Sequence, residues 1–172
     1  MSRMSLSIRA MALGAVGLLA VTSVARAQMT ISAVVSPAIA VSSPFGLNFG
    51  AVTRPSVTNV TFSNPSTGVL EIVGANSADV QVTFPVSVVL SGGAIPPTYA
   101  VLATSVGTKT IASGSCDRSG VAGVDATAGT LHTNLGAGGI LCYTVGGQLT
   151  ALVATSPGTY TGTLSVTVVY GP

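Results

Sequence analysis

The stretch Pro157-Gly-Thr-Tyr-Thr-Gly-Thr-Leu-Ser-Val-Thr-Val-Val-Tyr170 decides the fold. Tyr160, Gly162, Leu164, Val166, Val168 and Tyr170 take every second position, and the residues between them are mainly Thr and Ser. Side chains of a strand point alternately to opposite faces, so this run predicts a strand with one apolar and one polar side. Pro157-Gly158 ahead of it reads as a type II turn, with Gly at the position that needs positive φ.

The same period of two recurs along the chain. Phe45, Leu47, Phe49 and Ala51 alternate, as do Val80, Val82 and Phe84. Val86, Val88 and Leu90 follow across Pro85, which predicts an edge or a bulge at that point because proline donates nothing to a ladder. Tyr99, Val101 and Ala103 form a further set, and Leu149, Ala151 and Val153 another. Val and Thr, which favour strands, crowd the sequence, and Gly, Pro, Asn and Ser punctuate it. Short strands of uneven length at near-regular spacing predict an all-β chain folded as an antiparallel sandwich.

The first 27 residues read differently. Arg3 and Arg9 precede an apolar run from Ala10 to Val21, and Ala25-Arg26-Ala27 has the small-x-small pattern of a signal-peptidase site. That run is too short for the roughly 20 residues of a membrane-spanning helix. A signal peptide over 1–27, cut between Ala27 and Gln28, is expected. Export to the periplasm, then to the cell surface or beyond, follows from it. No second apolar segment of spanning length occurs, so no membrane insertion of the mature chain is expected.

Removing the signal reverses the charge. Arg3, Arg9 and Arg26 leave with it, so Arg54, Lys109 and Arg118 face Glu71, Asp79, Asp117 and Asp125, a net charge of −1. Nucleic acid and anionic lipid demand clustered Lys and Arg, so neither is expected as a partner. In an oxidising compartment the two cysteines, Cys116 and Cys142, are expected to form a disulfide closing a Gly-, Ala- and Thr-rich loop.

The catalytic inventory is thin. There is no nucleophile elbow, phosphate-binding loop, zinc-protease motif or paired Cys-x-x-Cys. His132 is the single histidine and reads as an exposed residue of the 117–141 loop; a triad with Asp125 and a serine is the remote alternative. Gly136-Ala-Gly-Gly139 reads as a turn, Asn59-Val-Thr61 as a formal glycosylation acceptor, and Asp117-Arg118 as a surface ion pair. A non-enzyme without cofactor or metal is expected.

Two motifs carry a resemblance. Tyr143-Thr-Val-Gly-Gly-Gln-Leu-Thr150 with the closing Pro157–Tyr170 stretch resembles the ending of the bacterial domain-of-unknown-function family 4402. Leu47-Asn-Phe-Gly-Ala-Val52 resembles that family's opening, and the two bracket roughly residues 45 to 170. The last strand, with Tyr170 near its end, is also similar to that of fimbrial subunits assembled by a chaperone and an usher. That resemblance implies an immunoglobulin-like sandwich lacking one strand, completed by strand exchange. It implies like subunits as partners, and a periplasmic chaperone and outer-membrane usher for assembly.

It further implies a donor strand. Met29, Ile31, Ala33 and Val35 alternate at the mature N-terminus, where strand addition would join backbone to backbone and seat alternate side chains in pockets. The same alternation also fits a strand pairing within its own domain. The expected division is therefore a signal at 1–27, a possible donor segment at 28–44 and a sandwich at 45–172. The expected role is a pilin-like structural subunit of a fimbria or surface assembly, and the alternative is a monomeric secreted adhesive or ligand-binding module. The disulfide departs from the fimbrial pattern, lying in the second half of the chain.

Overall fold

A computed structural model describes residues 37–172. The expected signal peptide, its Ala27–Gln28 cleavage point and the donor candidate Met29, Ile31, Ala33 and Val35 lie outside the described residues.

The chain is an all-β sandwich of three antiparallel sheets. Twelve strands are described: β1 (Ala40–Phe45), β2 (Ser56–Val60), β3 (Gly68–Val73), β4 (Asp79–Thr83), β5 (Ser87–Val89), β6 (Thr98–Ala100), β7 (Val106–Ile111), β8 (Ala122–Val124), β9 (Thr130–Asn134), β10 (Ile140–Val145), β11 (Gly147–Ala151) and β12 (Thr167–Tyr170). One sheet has the order β1-β3-β10-β7-β8, a second β2-β11-β6-β5, and a third β12-β4-β9. The boundary expected between residues 44 and 45 falls inside β1, which pairs with β3 from Ala40 onward.

One apolar core joins all three sheets. Ile72, Leu141 and Tyr143 come from the first, Tyr99 and Leu149 from the second, and Val80 and Val82 from the third. Phe84 meets Tyr143 edge-on at 5.5 Å between ring centres, a geometry that aromatic quadrupoles favour.

β10 escapes a search for alternation because it is covered on both faces. Leu141, Tyr143 and Val145 face the main core. Cys142 belongs instead to a smaller cluster with Val69 and Cys116, against which Ile111 and Ile140 pack. Cys142 and Cys116 form the expected disulfide. The segment it closes is not one long loop, since β8, a 3-10 turn over Ala126–Ala128 and β9 lie inside it.

Two sheet changes shape the molecule. The chain passes from β10 to β11 through Gly146 and Gly147, bending from the first sheet into the second. A Cβ on Gly146 would lie 2.0 Å from the Val60 carbonyl oxygen, so only glycine permits this corner. The second change follows Pro85, where the chain leaves β4 for β5 in another sheet. Pro85 is thus a crossover rather than a bulge within one strand.

That crossover corrects the opening expectation. The alternating run was expected to be one strand from Tyr160 to Tyr170, yet only Thr167–Tyr170 is a strand. Its ladder on β4 stops at Thr167 opposite Thr83, because the chain beyond Thr83 turns away at Pro85. The two segments meet again only at an isolated bridge between Ser91 and Thr161. Alternation of burial nevertheless survives: Leu164, Val166, Val168 and Tyr170 are half-buried, with exposed residues between them. Gly158 has φ 157°, so the Pro157-Gly158 bend is not the expected type II turn.

Candidate functional site

Between Thr161 and Thr167 the chain is extended and apolar on one side. Among the described residues Gly162–Ser165 belong to no strand and make no backbone hydrogen bond. Across from them, residues 46–55 leave β1 and run on without a strand partner. One backbone bond, from Asn48 N–H to the Ser66 carbonyl at 3.0 Å, ties that second segment down.

The two segments wall a groove of about 1210 Å³. Leu164 and Val166 line one side, and Leu47, Phe49 and Val52 the other. Leu70, Val88, Leu90, Tyr99, Val145 and Leu149 reach it from β3, β5, β6, β10, β11 and the turn after β5. At one end Arg54 donates to the Thr155 carbonyl and joins the two walls. Phe49 stands edge-on to Tyr99 with ring centres 5.9 Å apart.

The expected alternation of Phe45, Leu47, Phe49 and Ala51 holds only to Phe49. Gly50 adopts φ 67° and its N–H donates to Asn48 Oδ1 at 2.8 Å, a local turn that slips the register. Val52 rather than Ala51 is then half-buried and packs on the core.

Residues of the expected interaction strand divide between two places. Leu164 and Val166 line the groove. Val168 lies opposite Val82 on β4, and Tyr170 packs on the core. The Tyr170 hydroxyl accepts from Ala75 N–H at 2.9 Å and donates to the Pro37 carbonyl at 2.7 Å. Tyr160 donates to the Ser156 carbonyl at 2.6 Å, and Gly162 packs over Leu90 with no room for a Cβ.

His132 is on strand β9 opposite Gln81 rather than on a loop, with its side chain exposed. It borders a depression of about 260 Å³ shared with Asp79, Asn134 and the C-terminal Pro172. Asp125 is occupied in capping the 3-10 turn, accepting from Thr127 N–H at 2.9 Å, which lowers its carboxyl pKa. Among the described residues no three His, Cys, Asp or Glu side chains gather to hold a metal. No described helix is long and apolar enough to cross a membrane.

The expected Asp117–Arg118 pair is replaced by two separate contacts. Asp117 pairs with Lys109, and that bond holds its carboxyl down at about 2. Arg118 places its guanidinium carbon 4.4 Å from the centre of the Phe45 ring. Neighbours in sequence point apart here because the loop is pinned between two strands, and the sequence carries no signal for that.

No family model, curated protein or solved structure matches the chain.

Proposed function

We propose that the chain is an exported, non-catalytic subunit of a bacterial fimbria or surface assembly, built by adding a strand of one copy to the next. The observation that carries this reading is the groove, whose walls are extended, apolar and without strand partners among the described residues. A strand laid there would bond to unpaired backbone and bury alternate side chains. Five extended residues, the length of Gly162–Val166, span about 16 Å, enough for three inward side chains.

The occupant we assign is residues 28–36 of a second copy. Met29, Ile31, Ala33 and Val35 present the complementary period, and the groove's own apolar side chains match them in kind. A periplasmic chaperone and an outer-membrane usher would hold and hand on such a subunit, and an immunoglobulin-like arrangement completed by exchange would be the product.

Deleting residues 28–36 tests the reading. Chains 28–172 and 37–172 are compared by light scattering after size exclusion. The expected result is concentration-dependent oligomers for the longer chain and none for the shorter. Oligomers of the same size from both would overturn it. A longer chain that stays monomeric would favour a segment folded into its own domain, or a groove that serves a ligand.

A further inference from the structure

We infer that Arg118 is a positioning residue for this groove, held over its rim by the Cys116–Cys142 disulfide. The inference rests on reading the groove as the site that accepts a strand.

The segment between β7 and β8, Ala112-Ser-Gly-Ser-Cys-Asp-Arg-Ser-Gly-Val121, is small and polar. Nothing in it favours a fixed conformation by itself. Three anchors fix it against one cross-strand row, in which Glu71 on β3 and Lys109 on β7 flank Cys142 on β10. The middle residue takes the disulfide. Glu71 Oε2 accepts from Cys116 N–H at 2.7 Å. Lys109 pairs with Asp117 and donates to the Ser119 carbonyl at 2.6 Å.

Arg118 lies between these anchors and is directed toward the β1 side of the sheet. Its Nε donates to the Thr67 carbonyl at 2.7 Å, and its guanidinium covers the Phe45 ring. Phe45 ends β1 and lines the groove, and the chain leaves it directly into the wall at Leu47. Thr67 adjoins Ser66, whose carbonyl makes the one backbone bond to that wall. The two contacts of Arg118 therefore fall on both supports of the rim. In a mature chain with only seven charged residues, Glu71, Lys109, Asp117 and Arg118 are concentrated on this one loop. A wall with a single backbone tie otherwise has little to hold it in place.

Arg118→Gln keeps the loop, the disulfide and most of the side-chain bulk while removing the charged stack. Arg118→Lys keeps the charge but loses the planar fork. The chain 28–172 carrying either change is compared with the parent by amide-exchange mass spectrometry and by sedimentation over a dilution series. Both variants should speed exchange in residues 45–52 while leaving β10 and the disulfide content unaltered. Both should raise the concentration at which oligomers dissociate by about tenfold, the order expected for a partly shielded cation–π contact and a charged hydrogen bond.

Unchanged exchange in residues 45–52 overturns the role of Arg118. A parent chain that is monomeric throughout the series overturns strand exchange, and the exchange data still decide the rim by themselves. Rates that rise equally in β10 would mark general loosening and also overturn the inference.

Discussion

Tyr99 shows how one side chain closes a corner. Its hydroxyl donates to the Gly146 carbonyl at 2.6 Å, at the bend between β10 and β11. Burial pushes its pKa up, and burial likewise raises the Tyr143 phenol to about 12. A folded-state pKa raised above the unfolded value of 10.0 stabilises fully below pH 10 and is lost as pH rises past it. Tyr99→Phe should cost about 1 kcal/mol in urea unfolding at pH 7, because the Gly146 carbonyl loses its partner. The variant should also lose less stability than the parent between pH 10 and pH 12. Asp117 behaves oppositely. Its pKa is lowered from 3.8 to about 2 by the bond to Lys109, so its stabilising effect is complete above pH 4 and fades as pH falls toward 2. Being fully exposed, it contributes little. The difference in melting temperature between the parent and Asp117→Asn should shrink across that interval.

Among elements, β10 and β12 differ in what supports them. β10 is paired along both edges and covered on both faces, so a cavity there has no route to collapse. Leu141→Ala should cost about 2–5 kcal/mol by chemical denaturation, with no change in oligomeric state. β12 is paired on one edge only, and its four residues hang on β4. Its predecessor Gly162–Ser165 has no partner because Pro85 sends β5 elsewhere. Alternation in the sequence reports which side chains face inward, and it did so correctly for Leu164 and Val166. It does not report whether a neighbouring strand is present, since pairing depends on where a distant segment runs.

For the whole molecule, the disulfide closes the second half of the chain across 26 residues. By chain entropy such a closure contributes about 3.5 kcal/mol. Replacing both cysteines with serine should lower the free energy of unfolding by that order, read from guanidinium titration. The loss should include the second small core, because Cys116 and Cys142 are themselves buried members of it. Small neutral surfaces and few charges leave such a domain reliant on its core and this one bond.

Composition and period determined that the chain is a β protein, and the export signal with two cysteines pointed to a disulfide that the fold contains. The core residues Val80, Val82, Tyr99 and Leu149 were legible because a half-buried strand writes its pattern as alternation. β10 was not legible, since a strand covered on both sides has no alternation to read. Tertiary structure alone decided that the closing run splits at Thr167, that Asp117 and Arg118 part company, and that His132 sits on a strand. It also decided that two unpaired segments, more than a hundred residues apart in sequence, face each other across a groove. Each of these depends on contacts between residues far apart along the chain, and local sequence encodes the direction of a side chain but not the arrival of its partner.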